Sequence, residues 1–349
     1  MRILICTQVM DKRDSALGFF QKWVVLLSAH FEQVEVVCLK NGEHSIPSNV
    51  HVHSLGKESS VGSRFVNRLH YIIRFYSFVW RLRKDYDIVF VHMNQEYVLL
   101  GGLLWKLLGK KVFMWRNHYE GSVLTDIAVA FCEKVFCTSR FSYTARYKKT
   151  VLMPVGVDEE SAHLDEEIIR TPKSILFLGR LDESKRPDVL IDALGILLKQ
   201  GVLFSATFVG GPSNIDSEYP ARLRAQVVKL GIADCVTFIG AVPNTETYRY
   251  YRSHEIFVNC SKSGMFDKTI FKAIACGCLV LATSHDFADL AGEEFTFANG
   301  DGEALAKKLN KFLFLPDEKH RVCIETLTNI IKSHRLPVLV ESLVKEIRV

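Results

Sequence analysis

Short apolar runs alternate with longer amphipathic segments along nearly the whole chain, and this alternation limits the possible folds more than any other feature. In the first half the runs occupy 2–7, 34–39, 50–55, 88–93, 112–116 and 134–139; in the second they occupy 174–179, 203–209, 235–239, 255–260 and 278–282. Most are β-branched or aromatic and apolar throughout, as strands are when helices cover both faces. Amphipathic segments such as 188–200 and 218–230 lie between them. Strands alternating with helices build βαβ units and parallel sheets. A chain of 349 residues is too long for one ordinary core and suits two domains. The alternation pauses at 151–172, where Val151 to Asp158 lead into an acidic stretch ending at Thr171-Pro172. The expected fold is therefore α/β, with two Rossmann-like domains, 1–165 and 166–330.

Composition narrows the function. Hydrophobic residues make up 48% and charged residues 24%, the balance of a folded protein. A net charge of +5 suits an anionic substrate or an anionic membrane face, is also compatible with ordinary charge scatter, and falls far short of a nucleic-acid binder. The nine cysteines are odd in number and mostly within apolar runs, which reads as reduced, buried thiols. Without a Cys-x-x-Cys pair, and with no partner near Cys276 and Cys278, no zinc site is expected. The run Arg2 to Cys6 is too short for a signal peptide, and no stretch reaches the roughly 18 apolar residues of a membrane span. A cytoplasmic protein is expected, or one peripheral on the inner membrane face. Segment 64–84, rich in Arg and aromatics, is a helix read in two ways: docked on an anionic membrane surface, or packed on the first sheet with its arginines in water. The second is favoured, because apolar residues nearly encircle the helix and one side must meet the sheet.

Ligands bind at the carboxyl ends of strands in open parallel sheets, so the residues just after each strand are the candidates. After 174–178 come Arg180 and Lys185 on a loop that opens a helix, with Pro187 early in that helix. They read as a diphosphate site able to neutralise charge on a departing diphosphate, or as a solvated basic loop beside Asp182 and Glu183. Gly210 and Gly211 form a turn at the same end of the sheet. After 255–260, Ser263 and Gly264 form a loop and Asp267 caps a helix running from Lys268 to Cys276 and ending at Gly277. There the amides of Lys268 and Thr269 would point at an anion, or Asp267 is a cap and nothing more. In the first domain, Gly18 permits close approach of a ligand, and His118, like His92, follows a strand and is either structural or functional. Asp85-Tyr86-Asp87 has the pattern of a metal-dependent transferase but precedes its strand, so a helix-to-strand turn is the better reading. No other carboxylate pair suits magnesium, and no Gly-x-Gly-x-x-Gly follows either first strand.

These residues resemble the family-4 glycosyltransferases, retaining enzymes of the GT-B fold. The resemblance rests on Gly179-Arg180-Leu181 through Pro187, Val209 to Pro212, Val236 to Gly240, Pro154 to Asp158, and Ala273 to Gly277 and on to Thr283. It implies two domains facing across a cleft, with the last helix, 331–349, crossing back onto the first domain. Arg180 and Lys185 would hold the donor diphosphate, Gly240 and Ala241 would lie by the base, Gly18 would admit the phosphates, and His118 would sit near the transferred sugar. The family's two donor-binding glutamates correspond here to Gly264 and Lys272. Lys272 cannot accept hydrogen bonds from a ribose diol and would instead meet a phosphate or acidic group, with Asp267 and Lys268 taking over sugar and diphosphate contacts, as in a bacterial subgroup with Ser-Gly-x-x-Asp-Lys in this loop. The function implied is metal-independent transfer of a hexose-type sugar, with retention, from a UDP- or GDP-sugar to a glycan or lipid-linked acceptor. No cofactor is expected, since the nucleotide-sugar is a substrate. A catalytically inactive relative that binds a nucleotide or glycan beside an active transferase is the alternative; a sugar-nucleotide epimerase would need acid and base carboxylates that the sequence does not supply.

Overall fold

A computed structural model describes residues 1–14, 16–59, 63–159, 168–214 and 216–348. The chain forms two compact units: Met1–Pro154 together with Leu339–Val349, and Val155–Val338. The boundary expected near 165 lies outside the described residues.

In chain order, unit 1 contains β1 (Ile3–Met10), α1 (Phe20–Ser28), β2 (Val34–Asn41), β3 (Val50–Ser54), α2 (Arg64–Arg81), β4 (Ile88–His92), α3 (Glu96–Leu107), β5 (Lys111–Trp115), α4 (Val123–Phe131), β6 (Lys134–Cys137) and β7 (Thr150–Leu152). Its seven strands lie in the order β3-β2-β1-β4-β5-β6-β7, every pair parallel. Each apolar run of the first half is a strand; β7 is the addition, three residues on the sheet edge. The core on one side joins Leu4, Cys6, Val89, Val91 and Met114 to Phe75 and Val79 of α2, Trp105 of α3 and Val129 of α4. Asp87, in the turn before β4, accepts the Arg2 amide at 2.8 Å and pairs with its guanidinium at 3.0 Å, which fits the helix-to-strand turn.

Unit 2 contains β8 (Thr171–Leu178), α5 (Pro187–Lys199), β9 (Ser205–Val209), α6 (Tyr219–Lys229), β10 (Val236–Gly240), α7 (Thr247–Ser253), β11 (His254–Asn259), α8 (Lys268–Ala275), β12 (Leu279–Ala282), α9 (His285–Ala291), α10 (Gly302–Leu313) and α11 (Asp317–Lys332); α12 (Leu336–Arg348) ends the chain. The strand order is β10-β9-β8-β11-β12, again parallel. Chain order reverses between β8 and β11, so the loops after these two strands leave the sheet side by side. Such a switch point is where open α/β sheets bind ligands.

The α12 residues from Leu339 onward cluster with unit 1, where Lys134 pairs with Glu346 at 2.9 Å. All nine cysteines are free thiols, eight of them buried. Burial pushes the Cys278 thiol up to about 11, so it is inert at neutral pH. Among the described residues no helix is long and apolar enough to cross a membrane.

Candidate functional site

The switch point of unit 2 is assembled from three loop ends joined by backbone hydrogen bonds. The Gly179 amide donates to Val209 O at 3.0 Å, the Leu181 amide to Gly211 O at 2.8 Å, and the Gly210 amide to Gly240 O at 2.8 Å. Gly210 has a packing reason to be glycine: its φ is +142°, and a Cβ there would stand 1.8 Å from Gly179 O. Ala241 lies against Gly211, whose Cβ would be 3.3 Å from that of Ala241. The loop after β11 joins the same cluster through the Lys262 amide, which donates to Ser184 O at 3.0 Å.

Lys185 points into this cluster. Its ammonium pairs with Asp267 and donates to the Ser261 hydroxyl at 3.2 Å. These bonds use two of its three donors, leaving one for a ligand. Asp267 is heavily engaged: it accepts from Asn259 Nδ2 at 3.1 Å, Ser261 Oγ at 3.2 Å and the Thr269 amide at 3.1 Å. Burial acts to raise its pKa, but the Lys185 charge and these hydrogen bonds outweigh it and hold the carboxyl well below the usual carboxylate range. Asp267 is thus both the N-cap of α8 and the counter-ion of Lys185. The Thr269 amide, expected to point at an anion, is taken by the Asp267 side chain.

Arg180 stands at the exposed side of the loop, 3.5 Å from Asp182 and 3.5 Å from the hydroxyls of Ser213 and Ser184. Asp182 accepts from the Ser184 and Lys185 amides at 3.1 and 3.2 Å and from the Ser213 hydroxyl. The acidic neighbour that suggested a solvated basic loop therefore shapes the turn that carries Lys185. Ser213, Asn259 and Ser261 also belong to the cluster, although the sequence singled out none of them; their signal was position in the loops after strands.

Gly264 has a φ of +66°. Its carbonyl accepts from the His285 amide at 2.9 Å and the Ser284 hydroxyl at 3.2 Å. Ser263 accepts from the Met265 amide at 3.4 Å. Lys272 is buried, donates to Asn244 Oδ1 at 2.9 Å and lies 4.9 Å over the Tyr248 ring. Burial and the Lys272 charge push the Lys268 ammonium well below its ordinary value. Lys268 opens α8 and Lys272 lies in its last turn, so two positive charges share this helix in a setting that disfavours charge.

In unit 1, the Gly18 amide donates to Asp14 O at 3.1 Å, within the loop after β1. His118 is exposed and stacks on Tyr119 at 4.8 Å. Its Nδ1 lies 3.0 Å from the Glu120 amide nitrogen and 3.3 Å from the Glu120 carbonyl oxygen, so the neighbouring backbone fixes the ring's position. His92 is buried and stacks on Phe20 at 3.7 Å, a core position. No group of three or more His, Cys, Asp or Glu residues suited to a metal ion occurs among the described residues.

Residues 172–314 match the family "glycosyl transferases group 1", and residues 13–118 match "glycosyl transferase 4-like". A D-inositol 3-phosphate glycosyltransferase of Acidothermus cellulolyticus is 36% identical over 112 residues, 31% of this chain and 25% of that protein. The Gordonia bronchialis enzyme of the same name is 32% identical over 162 residues, 45% of this chain and 32% of that protein. The matched region thus spans only a quarter to a third of these relatives' length. Among solved structures, Anabaena HepE in complex with UDP and glucose superposes with a TM-score of 0.76 at 17% identity, covering 99% of this chain and 98% of that one. Sucrose-phosphate synthase from Thermosynechococcus elongatus gives 0.78 at 16% identity, with 99% and 98% covered. Two stretches of the chain thus resemble glycosyl transferase domains, and its two parallel α/β sheets have the GT-B fold.

Proposed function

We propose that this chain is a retaining, metal-independent glycosyltransferase that moves a hexose-type sugar from a UDP- or GDP-sugar to a glycan or lipid-linked acceptor. The observation that carries the reading is the Lys185–Asp267 pair at the switch point of unit 2, with Arg180 on the same loop. A diphosphate entering there would take the third Lys185 donor and the Arg180 guanidinium, and both would strengthen their hold as charge grows on the leaving group. Asp267 keeps Lys185 in place without drawing off its whole hydrogen-bonding capacity. Gly240 and Ala241 would adjoin the base, and Lys268 would help with the diphosphate. His118, exposed and held by its neighbours, would bind the transferred sugar or the acceptor in unit 1, and Gly18 would admit the phosphates. Curated relatives named as D-inositol 3-phosphate glycosyltransferases and a neighbour solved with UDP and glucose support the reaction class and a UDP-sugar as first candidate. The test is incubation with a panel of UDP- and GDP-sugars and acceptors, in the presence of EDTA, following nucleotide release. Turnover of one donor with EDTA present is expected; turnover that needs added magnesium would refute metal independence.

The second reading, a binder that partners an active transferase, is favoured by one feature: the family's glutamate positions hold Gly264, in a left-handed conformation, and Lys272, turned onto Asn244. Donor binding by calorimetry, with no nucleotide release across the panel, would select it.

A further inference from the structure

α2 touches the core with Phe75 and Val79, assisted by Tyr71 and Phe78. Its other side carries a second apolar stripe, Phe65, Leu69, Ile73, Tyr76 and Trp80, each between 39% and 76% exposed. The three- and four-residue spacing puts them on one face. A helix on a globular surface ordinarily presents charge there instead. The stripe does not stand alone. α2, α3 and α4 all pack on the same side of the sheet, since Val79, Trp105 and Val129 share one core, and the Tyr76 hydroxyl donates to Leu100 O of α3 at 2.9 Å. Leu103 and Leu107 of α3 and Val123 and Ile127 of α4 are exposed as well. The outward sides of three neighbouring helices therefore hold an apolar surface larger than scattered single residues would make.

Charge selects what covers it. From Ser59 to Lys84 the sequence has five arginines and one lysine and no acidic residue. Arg83 stacks 4.5 Å over the ring of Trp80, so a cation lies at the end of the stripe beside an aromatic, the pairing favoured at a bilayer interface. A second copy of this chain would set like charges against each other. An anionic bilayer answers both features at once: its acyl boundary takes the stripe and its headgroups take the arginines.

We propose that the outward face of α2, with α3 and α4 beside it, docks the protein on an anionic membrane surface, α2 lying in the headgroup plane. The proposal does not depend on sugar transfer at the switch point of unit 2. The test is co-sedimentation of the full chain with vesicles of phosphatidylcholine alone or mixed with about an equal share of phosphatidylglycerol. Binding to the anionic vesicles is expected, weakened by high salt. The tryptophans are Trp23, Trp80, Trp105 and Trp115, and Trp80 is the exposed one, so bound protein should show blue-shifted emission that Trp80→Phe abolishes. The variant Phe65→Ser/Leu69→Ser/Ile73→Ser should lose binding while keeping its circular dichroism melt. The variant Arg81→Gln/Arg83→Gln/Lys84→Gln should bind roughly a hundredfold more weakly. The proposal is overturned if the wild type stays in the supernatant with anionic vesicles, if both variants bind undiminished, or if the face instead forms a concentration-dependent dimer that the triple Ser variant dissolves.

Discussion

Lys185 and Asp267, 82 residues apart in sequence, form an ion pair in which the Ser261 hydroxyl lies 3.2 Å from both. The pair joins the loop after β8 to the N-terminus of α8, and it is mostly shielded from water, with side chains 24% and 14% exposed. Removing one partner strands the other charge.

Asp267→Asn should therefore destabilise the protein by about 3 kcal/mol at neutral pH, the usual cost of breaking a shielded pair. The acid dependence has a definite sign. The folded Asp267 carboxyl lies below its unfolded value of about 3.9, so its contribution is complete above about pH 4 and disappears as pH falls through the folded value. Urea denaturation of both proteins should show a gap that is constant from pH 5 to 8 and closes below pH 4. A gap that persists into strong acid would mean that the pair is not its source.

Lys185→Met and Arg180→Met should separate by size of effect. Lys185 is anchored and desolvated, so its loss should lower kcat/KM for nucleotide release roughly 10²–10³-fold. Arg180 is more than half exposed and its field is screened, so its loss should cost about tenfold. Equal effects of the two variants would contradict the assignment of the inner position to Lys185.

The sequence revealed strands more readily than contacts. Runs such as 88–93 and 174–179 stand out because both faces are buried and nearly every residue is apolar. Thr150–Leu152 escaped notice because three partly exposed residues on an edge leave no periodicity to read. Arg180, Lys185 and Asp267 were legible as candidates from their place after strands, but their pairing was not. It depends on β8 lying next to β11, a strand order that local pattern does not encode. Gly210 read as part of a turn at the strand end, and what its backbone must accommodate is the carbonyl of Gly179. Lys272 read as a lost glutamate, while its hydrogen bond to Asn244 came from a loop 28 residues away.

Gly264→Glu, which restores the residue typical of the resembling family, should not raise turnover. The backbone there has a φ of +66°, and a Cβ would come 2.7 Å from His285 Cδ2. The left-handed conformation alone costs a non-glycine residue about 1–2 kcal/mol, so both Gly264→Glu and Gly264→Ala should lose at least that much in urea denaturation. His285→Ala in the Gly264→Ala background should relieve only the steric part. Full recovery in the double variant would place the whole penalty on the contact and none on the backbone.

His334 supplies a pH response of its own. Its Nδ1 accepts from the Val155 amide at 3.1 Å, and its carbonyl accepts from the amides of Gly156 and Val157 at 3.0 and 2.8 Å, so it anchors the start of unit 2. Its ring also meets Phe271 at 4.7 Å. Burial in this apolar setting pushes the imidazole pKa down to about 4, below its unfolded value of about 6.5. Between these values the unfolded chain binds the proton and the folded chain does not, so stability falls as pH falls through that window. Moving from pH 7 to pH 5 should cost on the order of 1 kcal/mol after allowance for partial exposure. His334→Gln, whose side chain can still accept the Val155 amide, should fall less over the same range, with His254, also lowered by burial, supplying part of the remainder. A wild-type denaturation midpoint that moves no more than that of His334→Gln between pH 7 and 5 would show that the ring gains its proton as easily folded as unfolded.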